Sequence, residues 1–238
     1  MSEHSAVDFL HEVGSRIAAS DPLHEVLDRI VNFIADLMQC DSSFIYILED
    51  NELVLRASQN PHADVVDRLR LPVGQGITGW VSEHREPVAL ARDACQDPRF
   101  KFFSELPEDC YEAFLSVPIL FRGRVVGVIN VQHRLPHSYT PREIKLISTV
   151  AFLVGAEIEA ARLDSEISQL SDQLATRKVV ERAKGILQRD MRLTEEQSYL
   201  ALQRQSRQKR KPMKEVAEAI ILAADMRRDN EGDRSRID

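Results

Sequence analysis

The chain has 238 residues, 43% of them hydrophobic and 29% charged, with a formal net charge of −7. That length suits two modest domains better than one, and that composition excludes an intrinsically disordered chain. No run of eighteen apolar residues occurs and the opening MSEHSAVDFLHE lacks both a basic n-region and a long apolar stretch, so neither a membrane span nor a secretory leader is expected and the chain reads as cytoplasmic.

Two amphipathic helices open the chain. Val7, Leu10, Val13 and Ile17 recur at helical spacing, as do Leu23, Val26, Leu27, Ile30, Ile34 and Leu37, with Asp21-Pro22 between the two sets. Two short runs rich in β-branched and aromatic residues follow, at 43–48 and 52–57, and read as a hairpin. A second hairpin is expected where 115–121 and 124–131 flank Arg122-Gly123. Between the hairpins lie a glycine-rich stretch, Pro98 and Pro107, and a cluster of aromatics, which predicts loops and short helices over a pocket. Tyr46, Trp80, Phe100, Phe103, Tyr111 and Phe114 are its expected lining, for a small molecule that the residues do not identify. Strand pairs with helices at both ends make an α+β domain, an antiparallel sheet flanked by helices.

Thr140-Pro141 with Glu143 reads as a capping box that starts a helix. Leu146, Leu153, Ala156, Ala160, Leu163, Ile167, Leu170 and Leu174 then follow heptad spacing, and no proline interrupts residues 142–211. One helical rod is therefore expected, with Leu163, Ile167, Leu170 and Leu174 as the seam of a parallel dimer; a lone amphipathic helix packed on the sheet is the alternative. Three short helical patterns come next: Val179 to Leu187, then a helix capped at Thr194, then Met213 to Leu222. They predict a small three-helix bundle. The expected organisation is a sensor domain at 1–162, a coiled-coil linker at 163–176, a helical module at 177–226 and a disordered tail at 227–238.

Charge divides along the same line. Residues 1–163 carry a net −9 and residues 164–238 a net +2, and within 177–214 twelve basic residues stand against four acidic ones. A polyanion partner becomes plausible in that segment, the bland alternative being cations that merely solvate helix faces.

Other chemistry is sparse. Cys40, Cys95 and Cys110 form neither a disulfide framework nor a CxxC pair, so reduced thiols are expected. His133 and His137 stand four apart with Pro136 between them, and neither a metal site nor a catalytic constellation is expected. Gly74-Gln-Gly-Ile-Thr-Gly79 matches the dinucleotide fingerprint, but the preceding Asp67–Val73 is charged, contains a proline and belongs to an antiparallel pattern. The glycines read instead as a tight loop entering a helix.

The same residues carry a family resemblance. Gly74-Gln-Gly-Ile-Thr-Gly-Trp-Val81, Asp97-Pro-Arg-Phe100, the 116–131 hairpin and Tyr139-Thr-Pro-Arg-Glu-Ile-Lys-Leu-Ile147 resemble a GAF domain in order and spacing, over residues 8–162. The resemblance implies a PAS-like antiparallel sheet and a sensor role. The cyclic-nucleotide residue set and a bilin-attachment cysteine are not recognisable. Glu181-Arg-Ala-Lys-Gly-Ile-Leu187, Leu193-Thr-Glu-Glu-Gln-Ser-Tyr199, Leu202–Arg207 and Arg210–Ala217 resemble an ANTAR module, with Ser198, Gln203 and Arg210 departing from its usual residues. That resemblance implies binding of RNA hairpins in leader transcripts, hence transcription antitermination.

The residues suit it. An RNA reader needs cations for phosphates and planar groups for unstacked bases. Lys178, Arg182 and Lys184 on one helix, and Arg204, Arg207, Gln208, Lys209, Arg210 and Lys211 at the end of the next, supply the cations and an amide. Tyr199 at an apolar helical position reads first as core, with base stacking as the alternative. Ala183 and Gly185 read as small for packing, with close approach of RNA to the Gly185 backbone as the alternative. A DNA-binding factor and a thiol-dependent reductase on the GAF fold are the competing classes.

Overall fold

The computed structural model describes residues 23–59, 65–101 and 111–234, with side chains to residue 227. The helix expected at 7–17, and with it Phe103 and Cys110, lies outside the described residues. The chain divides into two compact units, Met1–Arg162 and Leu163–Asp238.

The first unit is built on a six-stranded sheet. Its strands are β1 (Ser42–Glu49), β2 (Glu52–Gln59), β3 (Arg70–Pro72), β4 (Val88–Leu90), β5 (Ala113–Phe121) and β6 (Arg124–His133), in spatial order β3-β2-β1-β6-β5-β4 with every pair antiparallel. Both expected hairpins are present, β1 with β2 and β5 with β6. The edge strands β3 and β4 are additions that the sequence pattern does not reveal.

Strands β1, β5 and β6 bury side chains on both faces. Ile45, Ile47, Val117, Ile119, Ile129 and Val131 point to one, where helix α1 (Leu23–Met38) lays Val26, Leu27, Ile30, Val31, Ile34 and Met38, its stripe at steps of three and four. The first part of helix α3 (Pro141–Met191) joins them with Ile147, Val150, Ala151, Val154 and Ile158. Thr140 and Glu143 form the expected capping box: the Glu143 N–H donates to Thr140 Oγ1 at 3.2 Å and the Thr140 N–H to Glu143 Oε2 at 2.7 Å. A Cβ on Gly155 would lie 2.7 Å from the Leu120 carbonyl oxygen, so glycine permits the close seat of α3 on β5.

On the other face, helix α2 (Gly76–His84) contributes Ile77 and Val81 to a second cluster with Phe44, Tyr46, Leu53, Leu55 and Phe114. The 74–79 loop follows a three-residue edge strand antiparallel to β2. The buried parallel strand that a pyrophosphate-binding βαβ unit requires is therefore not what precedes those glycines.

Helix α3 is continuous for 51 residues, so the first of the three short helical patterns is the end of the rod. In the second unit that end packs with α4 (Glu195–Lys209) and α5 (Met213–Arg234) around Val180, Ala183, Leu202 and Ala217. Thr194 caps α4 through a capping box, accepting from the Gln197 N–H at 3.2 Å while its own N–H donates to Gln197 Oε1 at 2.9 Å. Helix α5 continues to Arg234, past residue 227 where a disordered tail is expected.

Cys95 is disulfide-bonded, against the expectation of reduced thiols; spacing along the chain says little about which sulfurs meet in space. Cys40 is free, and burial pushes its thiol up to about 11, which leaves it a poor nucleophile. His133 and His137 stack at 4.1 Å with rings 4° apart, His133 against the Tyr139 hydroxyl at 3.0 Å and His137 against Glu143 at 3.2 Å.

Candidate nucleic-acid interface

The cations of the second unit fall into exposed stripes set by helical geometry. On α3, Lys178, Arg182, Gly185 and Arg189 recur at steps of four, three and four and are all exposed, opposite the buried Val180 and Ala183. On α4, Arg204, Arg207, Gln208 and Lys209 are exposed, and Arg210 and Lys211 continue beyond its end. Among the described residues Lys178, Arg204, Arg207, Lys209 and Arg210 have no carboxylate partner. Others of the set are engaged. Arg182 reaches Asp225 of α5 at 3.0 Å, Arg189 its neighbour Asp190 at 2.9 Å, and Lys211 reaches Glu215 at 3.0 Å. Arg189 completes the α3 stripe beyond the cations expected from sequence, and its place four residues after Gly185 is the sequence signal for it.

Lys184 differs from the expected free cation. It is only 7% exposed, and its Nζ donates to Glu195 Oε1 at 2.8 Å and to Glu181 Oε1 at 3.0 Å. Those hydrogen bonds, that to Glu195 foremost, hold the ammonium above the ordinary lysine range, and the same contact holds the Glu195 carboxylate below its own. Lys184 ties the start of α4 to α3.

Tyr199 corrects the core reading, for it is 43% exposed. Leu202 occupies the buried position three residues on, which turns the phenol to the edge of the packed face. Ala183 is small for packing, being fully buried, but Gly185 is not: an added Cβ there meets nothing within 4 Å. A glycine in a helix interior forgoes about 0.5–1 kcal/mol relative to alanine, and no contact among the described residues requires it. The result is a strip of bare backbone between Arg182 and Arg189. Arg210 closes α4 in the left-handed region, φ 51°, with its N–H on the Arg207 carbonyl at 3.3 Å. Ser198, buried, satisfies its hydroxyl on the Thr194 carbonyl at 2.9 Å.

Of the expected pocket residues, Tyr46 and Phe114 are buried in the second core cluster, with Trp80 and Phe100 packed partly buried against it. Tyr111 is buried but outside that cluster. The indole of Trp80 stacks on His84 at 4.0 Å, and the Arg99 guanidinium lies over it at 4.8 Å. Unforeseen on this face is a buried polar chain in which Ser116 Oγ donates to Asn130 Oδ1 and Asn130 Nδ2 to Thr78 Oγ1, each at 2.8 Å. Leu163, Ile167, Leu170 and Leu174 on α3 are each more than half exposed. No helix among the described residues is long and apolar enough to cross a membrane.

Comparison with known proteins agrees with both halves. Residues 22–158 match the model of the GAF domain and residues 168–221 that of the ANTAR domain. The transcriptional regulatory protein PdtaR of Mycobacterium tuberculosis is 40% identical over 76 residues, which cover 32% of this chain and 37% of that protein. A protein of the phosphoenolpyruvate-dependent phosphotransferase system of Escherichia coli is 28% identical over 165 residues, 67% of this chain, yet the chain spans only 22% of that protein. The solved GAF domain of a phosphoenolpyruvate-protein phosphotransferase from Coxiella burnetii superposes with a TM-score of 0.63 at 30% identity, covering 68% of this chain and 96% of that one. With a GAF domain over more than half of its length, followed by a segment that matches the ANTAR domain, the chain belongs to the GAF domain family.

Proposed function

We propose that the chain is a signal-responsive transcription antitermination regulator of the cytoplasm, whose ANTAR module binds RNA hairpins in leader transcripts under control of its GAF domain and which catalyses no reaction. The observation that carries this reading is the set of exposed cations on α4 and at its end that have no carboxylate partner among the described residues, Arg204, Arg207, Lys209 and Arg210, beside an exposed Tyr199. Guanidinium and ammonium groups neutralise phosphates, and an exposed phenol offers a loop base a face to stack on. Lys178, Arg182 and Gly185 extend the surface along α3, where bare backbone admits RNA closer than a side chain would.

The module works as a homodimer. Leu163, Ile167, Leu170 and Leu174 present an apolar seam at steps of four, three and four, which a partner helix removes from water. Two modules on one dimer read tandem hairpins as a bivalent target, gaining effective concentration without new contacts. A small-molecule effector of the GAF domain sets the state of the rod.

Fluorescence anisotropy with a labelled hairpin RNA tests the surface. Arg207→Ala and Arg210→Ala should each weaken binding and lower the slope of log affinity against log salt by about one. Wild-type affinity and slope in both variants would overturn the assignment.

A further inference from the structure

The second unit holds a hollow of about 590 Å3 between the end of α3, the end of α4 and α5. Its volume falls within the range of about 300–1,000 Å3 usual for small-molecule sites. The walls are hydrocarbon: Ile186, Leu187 and Met191 of α3 face Val216 and Ile220 of α5, and Ala219 and Ala223 leave one side shallow. Met191 is 63% exposed, so apolar surface reaches the mouth.

The charges on its rim do not cancel. Lys209, Lys211 and Arg227 stand against Asp190 and Glu215, and both carboxylates are taken. Glu215 accepts from Lys211 Nζ at 3.0 Å, and Asp190 accepts from Arg189 Nε at 2.9 Å, an arginine outside the lining. Lys209 and Arg227 are left, both exposed and without a carboxylate partner among the described residues. One neutral polar side chain joins them: Gln205, exposed, its carboxamide without a hydrogen bond among the described residues. The hollow also adjoins both proposed RNA-binding sets, through Lys209 and Lys211 at the end of α4 and through the Asp190–Arg189 pair on α3.

We propose that this hollow takes one unstacked base of an RNA hairpin loop, the base lying against Ile186, Met191 and Ile220, Gln205 bonding its edge, and Lys209 and Arg227 holding the flanking phosphates. The inference rests on the RNA reading above and names the group that the module reads. A nucleobase is a neutral plate with apolar faces and a rim of donors and acceptors; hydrocarbon walls suit the faces, and a carboxamide, donor and acceptor at once, suits the rim. Each flanking phosphate carries one negative charge, which the two unpaired cations answer. An apolar peptide would use the walls and leave those cations unanswered. Bases in a duplex are stacked and paired, so only a loop base can enter, and the hollow thereby selects hairpins over duplex.

Fluorescence anisotropy of the full chain tests it, with a hairpin RNA chosen as the tightest binder from a pool of randomised loops. Each loop base is removed in turn while the sugar–phosphate backbone stays intact. At one position the abasic RNA should bind wild type at least about tenfold more weakly with an unchanged salt slope, because the phosphates remain. Ala219→Leu with Ala223→Leu fills the hollow and changes no charge; this variant should bind the intact hairpin as weakly as the abasic one. Both alanines are exposed on α5, so the fold stays, which circular dichroism checks. Gln205→Leu should keep the abasic penalty but bring the four bases at that position to within about twofold of one another. Wild type that binds the intact hairpin and every abasic form alike overturns this site and leaves the RNA reading standing, whereas wild type that binds no hairpin overturns both. An abasic penalty that survives in the double leucine variant would assign the hollow to another occupant, a protein segment, and undiminished base preference in Gln205→Leu would equally overturn the proposal.

Discussion

Gly185→Ala separates what a residue does for the fold from what it does for a partner. The position lies inside α3, is exposed, and an added methyl meets nothing within 4 Å. Alanine should therefore stabilise the second unit by about 0.5–1 kcal/mol, by lowering the backbone entropy lost on folding. A unit of this size shifts its melting temperature by about 4–8 °C per kcal/mol, so a rise of about 2–8 °C is expected by calorimetry. The same methyl stands between Arg182 and Arg189, where the proposed RNA contact needs bare backbone. Affinity for a hairpin, read by anisotropy, should fall on the order of tenfold, the equivalent of one lost close contact. A more stable protein that binds worse is the expected pairing. Destabilisation would mean that the open space at Gly185 is filled in the native protein, and a stabilised variant with wild-type affinity would refute RNA contact there.

Four more outcomes are expected. Arg210→Asn relieves a left-handed backbone that suits asparagine better than arginine; it should stabilise the second unit by about 0.5–1 kcal/mol in urea titrations while removing one phosphate contact from the salt slope. Ile167→Asp with Leu170→Asp puts charges into the proposed seam and should give monomers by sedimentation velocity that bind one hairpin and lose preference for two. Gly155→Ala forces a methyl against the Leu120 carbonyl and should cost the first unit about 1–3 kcal/mol, read as a lower denaturation midpoint. Burial, the largest influence, holds His133 below its ordinary value of 6.5; the unfolded chain then takes up the proton first as pH falls, so the melting temperature of the first unit should drop from about pH 7.5 to about pH 5.5, and His133→Gln should flatten that dependence.

What the sequence makes legible is what local chemistry decides. The hairpins are readable because β-branched runs flank turns, and the starts of α3 and α4 because Thr140 with Glu143 and Thr194 with Gln197 close their capping boxes within four residues. Edge strands β3 and β4 are three residues each, and their pairing is decided by strands far along the chain rather than by their own composition. The binding surface is legible as a set of cations but not as a geometry. Lys184 carries the same charge as Lys178, and it is Glu195 arriving from the next helix, together with Glu181 on its own, that holds the one ammonium and leaves the other free of them. Tyr199 and Gly185 stay ambiguous in the sequence for a related reason: periodicity gives a residue's angle on a helix, not which neighbouring helix covers it. The Ser116–Asn130–Thr78 chain left a weak trace, polar residues at inward positions of apolar strands, that becomes a network only once β5, β6 and α2 are assembled.

Competitive anisotropy with a labelled two-hairpin RNA and a duplex DNA of equal length tests the central claim most directly, because both offer phosphates and only the RNA offers unstacked loop bases. The full chain should bind the RNA at least about tenfold more tightly across a salt series, with Arg207→Ala eroding that margin. Equal or tighter binding to the duplex at every salt concentration would contradict the account and make the cation surface of α3 and α4 a reader of DNA.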